Sequence, residues 1–509
     1  MNISLVRPSS VTNLDSMGDD AVLPIGLAYL AAVLEEATHC VTVVDGPGNA
    51  LGSYQPLEGV IDGLRHGQSD ADVVADIPAN TRIVGVTVMF SMEWLAARGL
   101  INMIRERFPD AVIVIGGEHV TAVPEYCLED CPAIDFCVLG EGEQTLAELV
   151  EAISNGGNVN EVEGLCLRRD GDVARTPPRA RVRAIDDLPR PAWHLLPVAA
   201  YLDKRVMSGI DFGRSMPILA SRGCPYRCTF CSNPVMWGPL WRAREPESVV
   251  DEMMDYMARY DATNFDFYDL TAIVKKQWIV EFCNLILERG MKITWQFPSG
   301  TRTEALDDEV TKLLFESGCK FITYAPESGS DDMLKRIKKQ VSKPKMLHSM
   351  RDAVGNGLNV KASFILGFPN ETFRHVIDSY GFIFQMALIG IKDVSVFPFS
   401  PYPGAELFEE LRRGGQITLN DAYFRQLSEG TATIPDANSF SFERSYSIRT
   451  LRYLCLFGIT MFYSVSFLRR PKRLFVLFQN LINNKQESRL ERALQILFAR
   501  RARQGGQIE

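Results

Sequence analysis

The sequence predicts an α/β protein in which a doubly wound parallel sheet is followed by an incomplete β/α barrel. Short apolar runs of strand length recur along the chain, and helical segments separate them. A proline-rich stretch, Asp186–Pro197, interrupts this series. Because parallel strands need crossover connections, alternating strands and helices favour parallel sheets. The interruption therefore separates two α/β units, and a helical region follows the second.

The first unit, residues 1–155, contains five candidate strands. The strands are Ile3–Val6, Val41–Val44, Ile83–Met89, Ala111–Ile115 and Asp135–Leu139, with helical patterns at Ile25–Glu36 and Glu93–Phe108. In open sheets of this kind, ligands bind outside the carboxyl ends of the strands. Residues 156–212 have a looser pattern and are predicted to be a linker.

The second unit, residues 213–415, contains six further candidate strands. They are Pro217–Ala220, Asn264–Asp269, Lys292–Gln296, Phe321–Ala325, Val360–Leu366 and Asp393–Phe399. A closed TIM barrel has eight β/α units, so six units predict a partial (β/α)6 barrel of the TIM type. We expect its active site at the C-terminal ends of these strands.

The last region, residues 416–509, is predicted to be helical and basic. Tyr453–Leu468 is a run of sixteen residues without a charge, and four basic residues follow within Arg469–Arg473. A membrane-spanning helix needs about twenty apolar residues. The segment therefore predicts either a helix packed over the barrel or an interfacial helix with basic flanks, and not a transmembrane anchor.

Composition narrows the possible classes of function. A hydrophobic content of 46% and a charged content of 23% are typical of a soluble globular protein, and the net charge of -9 argues against a nucleic-acid partner. Arg469–Arg503 carries ten Lys or Arg against two Glu, which makes this end a candidate for peripheral membrane contact. The eleven cysteines form no even framework and the N-terminus lacks a signal-peptide pattern, so we expect a reducing, cytoplasmic location, with the membrane surface as the alternative site.

Three cysteines lie close together in the stretch SRGCPYRCTFCSNP, Ser221–Pro234. Cys224, Cys228 and Cys231 have a spacing that would also fit one helix face, but the flanking glycine and prolines indicate a loop. Structural zinc usually takes four ligands, and the sequence has neither a second Cys-x-x-Cys pair nor a histidine near this loop. Three thiolates alone favour an iron–sulfur cluster with one open iron.

The pattern Cys224-x-x-x-Cys228-x-Phe230-Cys231 resembles the cluster loop of the radical S-adenosylmethionine (SAM) enzymes. The resemblance implies that the cysteines hold a [4Fe–4S] cluster and that SAM binds the open iron, with Phe230 beside the cofactors. It further implies that cleavage of SAM gives a 5'-deoxyadenosyl radical that abstracts hydrogen from a substrate. An external electron donor of the flavodoxin or ferredoxin type would supply the electron.

Four further stretches resemble the SAM contacts of that family. Asp269 stands where the family meets the methionine amino group, although YDLT departs from the usual Gly-Gly-Glu form. Arg302, in TRTEAL, would reach a carboxylate. Glu327 and Ser328, in APESGS, would face the ribose or the amino group. Gly367, in SFILGFPNET, would let the backbone approach the adenine.

The first unit resembles a cobalamin-binding domain of the Rossmann-like, flavodoxin-like kind. Thr87-Val88-Met89 and Gly116-Gly117 match the last two elements of that signature. At the first element, Asp45-Gly46-Pro47 has proline where the cobalt-ligating histidine would stand. We therefore expect cobalamin to bind with no histidine of this domain beneath cobalt. His119 is interpreted as a loop histidine that lines the site.

Cys127, Cys131 and Cys137 form a second, looser triplet. The first two lie on a short helical segment and the third in an apolar strand, so we interpret all three as core residues. This interpretation argues against the methylthiotransferase branch, whose N-terminal domain supplies additional cluster cysteines.

Three functions remain open from the sequence. The first is cobalamin-dependent methyl transfer to an unactivated carbon of a small-molecule or lipid-like substrate. The second is the oxidative reaction of the anaerobic cyclases that act on tetrapyrroles, and the third is a non-catalytic cobalamin sensor. The fold does not identify the substrate.

Overall fold

The computed structural model describes residues 1–13, 21–57, 63–271, 273–301, 305–430, 442, 446–495 and 498. Within these residues a seven-stranded sheet precedes a six-stranded parallel sheet, and helices form the C-terminal region. This arrangement confirms the predicted α/β fold class.

The described part of the N-terminal region contains two sheets. Its strands are β1 (Asn2–Arg7), β2 (Ser10–Asn13), β3 (Cys40–Asp45), β4 (Tyr54–Pro56), β5 (Gly63–His66), β6 (Ile83–Thr87), β7 (Val112–Gly116), β8 (Phe136–Val138), β9 (Leu165–Arg169) and β10 (Asp172–Arg175). The large sheet has the order β10-β9-β8-β7-β6-β1-β3, in which β9 pairs antiparallel with both β8 and β10, and the other neighbouring strands pair parallel. It therefore continues to Arg175, beyond residue 155. The small sheet, β2-β5-β4, was not predicted.

Helices cover both faces of the large sheet. They are α1 (Ile25–Glu36), α2 (Gly46–Asn49), α3 (Asp70–Ala75), α4 (Trp94–Arg107), α5 (Glu118–Ala122), α6 (Pro124–Asp130) and α7 (Gly142–Asn155), and α8 (Val198–Asp203) follows the sheet. Successive residues of β1 serve opposite faces: Leu5 packs in the core with α1 and α7, and Val6 packs in the core with α4. A parallel sheet buried on both faces explains why its strands are nearly continuous apolar runs.

The second unit is an open barrel. Its strands are β11 (Ser215–Ile218), β12 (Ser221–Arg222), β13 (Arg242–Ala243), β14 (Asn264–Phe267), β15 (Thr294–Thr301), β16 (Cys319–Glu327), β17 (Asn359–Leu366) and β18 (Asp393–Pro398). Six of them form the parallel order β11-β14-β15-β16-β17-β18, and β12 with β13 forms a separate antiparallel ribbon. All six predicted barrel strands are present, and β11 and β18 are the sheet edges.

Helices surround the barrel and continue into the C-terminal region. They are α9 (Asn233–Trp237), α10 (Pro246–Tyr260), α11 (Lys276–Glu288), α12 (Asp308–Glu316), α13 (Asp331–Arg336), α14 (Lys343–Gly355), α15 (Phe373–Ile389), α16 (Glu406–Arg413), α17 (Asp421–Gly430), α18 (Ile448–Arg469) and α19 (Lys472–Ile482). The uncharged run thus lies in a 22-residue helix, longer than the run itself. By length and composition alone α18 could cross a bilayer. Of its most apolar stretch of 18 residues, 28% is buried.

The barrel is held to α18 and to the chain beyond α19 by hydrogen bonds. Tyr463 of α18 donates its hydroxyl to Asp393 Oδ1 at 3.0 Å, at the start of β18. The backbone N–H of Arg489 donates to Asp393 Oδ2 at 2.8 Å, and Arg492 Nη2 donates to the Met207 carbonyl at 2.9 Å. The C-terminal chain therefore returns to the N-terminal end of the barrel, and part of its basic charge is turned inward.

Candidate functional site

The three cysteines of the predicted cluster loop follow β11 at the C-terminal end of the barrel strands. The ribbon of β12 and β13 closes the base of the loop. Gly223, which begins the turn, has a φ of +84° and would collide with the Leu240 carbonyl if it carried a Cβ. Cys224, Cys228 and Cys231 are partly exposed, and none of the three forms a disulfide.

Neighbouring elements hold this loop in place. The Thr229 N–H donates to the Ile337 carbonyl at 3.1 Å, and the Thr229 carbonyl accepts from the Leu407 N–H at 2.8 Å. Phe230 packs on Phe368, which follows β17, with ring centroids 5.6 Å apart. The loop is therefore supported by the segment after β17, by the C-terminal end of α13 and by the first turn of α16.

The donor set, three thiols in one loop, is of the kind that binds an iron–sulfur cluster. Among the described residues, no three Cys, His, Asp or Glu side chains surround one point closely enough to hold a single metal ion. In a [4Fe–4S] cluster each thiolate binds a different iron, so its ligands need not meet at one point. Burial raises the pKa of the Cys231 thiol to about 12, so its thiolate needs a cationic partner such as iron.

Asp269 lies beside the loop, and both of its carboxylate oxygens are hydrogen-bonded. Oδ2 accepts from the Ala220 N–H at 3.1 Å, and Oδ1 accepts from the Ser221 hydroxyl. Burial raises the pKa of Asp269 to about 6. Asp269 therefore fixes the chain that enters the cysteine loop, and its contact with SAM stays a prediction. Next to it, the Thr271 hydroxyl donates to Cys224 Sγ at 3.4 Å.

Glu327 and Ser328 point to different partners. Glu327 lies at a register shift between β16 and β17, has a φ of +63°, and accepts from Lys339 Nζ at 3.1 Å. A non-glycine residue held at positive φ is characteristic of functional sites. The Ser328 hydroxyl is fully buried and lies 3.3 Å from the Ser379 hydroxyl of α15. Ser328 thus fastens the loop to α15, whereas Glu327 forms a buried ion pair that the sequence did not predict.

Gly367 lies in close contact with helix α18. Its φ is +89°, and a Cβ built there would lie 2.5 Å from Leu451 Cδ2 of α18. The contact expected with adenine stays a prediction, since the visible need for glycine comes from Leu451. Arg302 lies outside the described residues.

The two predicted cobalamin-binding elements are adjacent at the carboxyl edge of the large sheet. Thr87 pairs with Gly116, and the Val88 N–H donates to the Gly116 carbonyl at 2.7 Å. Gly117 has a φ of +127°, and a Cβ there would collide with the Val88 carbonyl. Met89, which follows Val88 in the chain, is 40% exposed. This arrangement leaves backbone and an apolar side chain available to a large planar ligand.

The structure corrects the predicted position of His119. The side chain is buried between Trp94 and Phe424, with ring centroids 5.2 Å and 5.5 Å away, rather than lining an open loop. Its Nδ1 lies 2.9 Å from the Ser91 hydroxyl, and no described residue hydrogen-bonds to Nε2. Burial lowers the pKa of His119 to about 3. His119 is buried because Phe424 of α17 packs on α5, the helix that carries it.

Asp45 and the second cysteine triplet are core features. Asp45 is fully buried and accepts from the Tyr201 hydroxyl at 2.8 Å. Cys127, Cys131 and Cys137 are each 0% exposed, which confirms their predicted core role.

The carboxyl edges of the two sheets face each other across the cysteine loop. The Thr121 hydroxyl, beyond Gly117, donates to Met236 Sδ of α9 at 3.4 Å. Ser232, next to Cys231, donates its hydroxyl to Glu118. The two predicted cofactor sites are therefore neighbours.

A buried ion-pair cluster joins the same two regions. Arg222, two residues before Cys224, bonds Glu141 Oε1 at 3.1 Å through Nη1 and Glu143 Oε1 at 2.6 Å through Nη2. Trp237 lies under its guanidinium at 5.8 Å. The sequence analysis predicted neither this cluster nor the contact between Glu118 and Ser232.

Comparison with protein families finds two matches in the order of the two units. Residues 19–150 match the B12 binding domain, and residues 218–383 match the Radical SAM superfamily. The first range contains β6 and β7 with their glycine turn, and the second contains the cysteine loop.

Three relatives and one solved structure extend the comparison. The chain is 31% identical to an uncharacterized methyltransferase of Pyrococcus horikoshii, covering 80% of this chain and 83% of the relative. It is 30% identical to cytidylyl-2-hydroxyethylphosphonate methyltransferase of Streptomyces wedmorensis (81% and 82%) and 28% identical to anaerobic magnesium-protoporphyrin IX monomethyl ester cyclase of Rubrivivax gelatinosus (78% and 67%). The fold is similar to that of the cobalamin-dependent SAM radical enzyme OxsB, with a TM-score of 0.68, 16% identity, and coverage of 98% of this chain and 78% of that one.

Proposed function

The chain belongs to the B12-binding branch of the radical SAM superfamily and is an enzyme of that family, and we propose that it transfers a methyl group to an unactivated carbon of a small-molecule or lipid-like substrate. Membership in this family implies three cofactors, which are a [4Fe–4S] cluster, SAM and cobalamin. Methyl transfer is favoured over oxidative cyclisation because two relatives with 30% identity or more are named as methyltransferases.

One structural observation supports this proposal above the others. The glycine turn of the B12-binding unit and the cysteine loop of the radical SAM unit touch directly, through Thr121 with Met236 and Glu118 with Ser232. A reaction in which one bound group activates a carbon and another donates a methyl needs both groups beside one substrate. The facing sheet edges meet that requirement.

The residues that would hold each group follow from the geometry. Cys224, Cys228 and Cys231 would bind the cluster, and the turns at Val88 and Gly117 would receive cobalamin. When bound, these groups and SAM supply the electron, the hydrogen-abstracting radical and the methyl group.

The protein's own contribution is to orient these groups and to exclude water. Asp269 holds the strand that enters the cysteine loop, and Arg222 fixes that strand to Glu141 and Glu143 of the other unit. Phe230 and Phe368 form an apolar wall behind the last cysteine. Met89 and Phe90, which follow β6 at the carboxyl edge of the large sheet, are exposed.

The test uses the full-length chain, reconstituted anaerobically with iron, sulfide and cobalamin. It is incubated with a low-potential reductant, with SAM that carries a deuterated methyl group, and with an organic extract. The extract is prepared from a strain of the source organism in which this gene has been deleted. We expect a component of the extract to gain the deuterated methyl group, together with 5'-deoxyadenosine above the level of a Cys228→Ala control. Product without label would overturn methyl transfer.

Two alternatives have defined outcomes in the same assay. Conversion of added magnesium-protoporphyrin IX monomethyl ester to an unlabelled oxidised product would favour the cyclase reaction. Absence of 5'-deoxyadenosine above the Cys228→Ala control would favour a cobalamin sensor. The flavodoxin or ferredoxin type of the electron donor and the cytoplasmic location stay predictions.

A further inference from the structure

The outer side of α18 and α19 carries large apolar side chains in solvent. On α18 these are Tyr453, Phe457 and Leu468, and on α19 they are Phe475, Phe478 and Ile482; each is between 57% and 84% exposed. The spacing places the three residues of α18 on one side of that helix, and the three residues of α19 on one side of the other. We refer to these six residues as the α18–α19 face. Soluble surfaces rarely expose such a concentration of aromatic and aliphatic side chains without a partner.

The rest of the structure holds this face outward. Leu451 and Phe462, on the opposite side of α18, are buried in the barrel core, and Tyr380 of α15 donates its hydroxyl to the Leu454 carbonyl at 2.7 Å. At the α18–α19 junction, Arg470 Nη2 donates to the Ile389 carbonyl at 2.7 Å, and Arg473 Nη1 donates to the Ile391 carbonyl at 3.1 Å. Rotation that would bury the face against the barrel would break these contacts.

Along the chain, the formal charges of α18 and α19 have a single sign. From Tyr446 to Gln486 the sequence contains no Asp or Glu, although the whole chain has a net charge of -9. Arg470 and Arg473 are bound to carbonyl groups of the barrel, but Arg469 and Lys472 at the junction are exposed. Exposed apolar groups next to cations are characteristic of helices that lie in the interface of an anionic membrane.

We propose that the α18–α19 face docks the protein on the surface of a bilayer that contains anionic lipids. The aromatic and aliphatic side chains enter the region between the headgroups and the acyl chains, and Arg469 and Lys472 contact lipid phosphates. A second copy of the chain is a poorer occupant, because a symmetric contact brings the same cations together. This proposal does not depend on the enzyme's reaction and can fail independently of it.

The experiment measures co-sedimentation of the full-length chain with two kinds of vesicle. One kind is phosphatidylcholine alone, and the other is phosphatidylcholine mixed with phosphatidylglycerol. The apolar variant is Phe475→Ser/Phe478→Ser, and its control is Leu287→Ser, an exposed leucine on α11. The charge variant is Arg469→Glu/Lys472→Glu, and its control is Lys345→Glu, an exposed lysine on α14. Circular dichroism and thermal melting identify any variant that fails to fold.

We expect the unaltered chain to bind the anionic vesicles at least about tenfold more tightly than the neutral ones, and less tightly as salt is added. Both face variants should lose at least about tenfold in binding to anionic vesicles, while both controls retain it. Absence of vesicle binding, or binding that the folded face variants retain, would overturn the proposal. So would a vesicle-free dimer that Phe475→Ser/Phe478→Ser converts to a monomer, since a second copy would then cover the face.

Discussion

Arg222 Nη2 lies 2.6 Å from Glu143 Oε1, and this ion pair connects the chain entering the cysteine loop to the first turn of α7. The two side chains are 3% and 7% exposed. Glu141 accepts from the other nitrogen of the guanidinium fork and also lies 3.4 Å from Arg181. Since the cluster spans the two cofactor-binding units, it is suited to set the distance between them.

The first prediction is that Arg222→Met strongly destabilises the protein. It leaves Glu141 and Glu143 buried with one fewer cation, and breaking a buried ion pair typically costs about 3–5 kcal/mol. Urea denaturation should show this loss in the free energy of unfolding. The control, Lys276→Met, removes solvent-exposed pairs with Asp307 and Glu309 and should leave the free energy of unfolding nearly unchanged. Adding Glu141→Gln and Glu143→Gln to Arg222→Met should restore part of the lost free energy of unfolding. An equal loss for Arg222→Met and Lys276→Met would contradict the role of the cluster.

The second prediction concerns the cysteine loop. Cys228→Ala should abolish the visible absorption of the reconstituted cluster, because a missing thiolate leaves one iron without its protein ligand. Cys127→Ala removes a thiol that is buried in the core of the first unit, and it should keep this absorption. Iron and sulfide analysis of both variants provides the measurement. If the two variants held the same amount of iron, the assignment of the loop would be wrong.

The parallel strands of both units were predictable from the sequence because their burial determines the local pattern of residues. A strand covered on both faces must be apolar at nearly every position, as in β6 and β7. The strands of the small sheet have only three or four residues, and their sequences SVTN, YQP and GLRH lack apolar periodicity. Their pairing depends on contacts across the domain, so no local pattern predicts them.

In the site, too, the local signals were predictable from the sequence and the long-range contacts were not. The cysteine spacing and the glycine turn are local signals. Arg222 pairs with carboxylates that are 79 and 81 residues away, and that pairing depends on how the two units pack. Likewise, counting charge in the basic C-terminal region could not distinguish buried Arg492 from exposed Lys472. Burial of charge is a tertiary property, and the sequence alone overstated the cationic surface.

The third prediction is that cobalamin binds without a histidine of the N-terminal unit on cobalt. His39 precedes β3, at the edge of the sheet opposite the glycine turn, while His66 is stacked on Tyr54 at 4.5 Å and His119 is buried. The electron paramagnetic resonance spectrum of bound cobalt(II) should not change when the chain is labelled with nitrogen-15 histidine. A change in nitrogen splitting upon labelling would show that the chain supplies an axial imidazole.

The fourth prediction concerns the pH dependence of stability. The folded-state pKa of His119, about 3, lies below the ordinary value of 6.5, so between these values the unfolded chain binds a proton that the folded chain does not. Stability is therefore lost as the pH falls below about 6.5, by up to about 1.4 kcal/mol per unit from this group. His119→Leu should flatten the pH profile of the free energy of unfolding by this amount. The control Phe424→Leu loosens the same packing without removing a titrating group, and it should leave the slope unchanged. Equal slopes in the unaltered chain and His119→Leu would contradict the buried neutral state.

The fifth prediction separates two reasons for glycine at position 367. Gly367→Ala introduces a side chain at a φ of +89° and also places its Cβ against Leu451 of α18. Gly171 has a φ of +95°, and no atom of the described residues lies within 4 Å of the position that a Cβ would occupy there. Gly171→Ala should therefore show the backbone cost alone, about 1 kcal/mol. Gly367→Ala should cost more, because Leu451 must move and with it the first turn of α18. The double variant Gly367→Ala/Leu451→Ala should then cost less than the sum of its two single changes, which denaturation of all four proteins can measure. Additive losses would mean that α18 does not press on the turn after β17, and that the glycine there serves only the backbone.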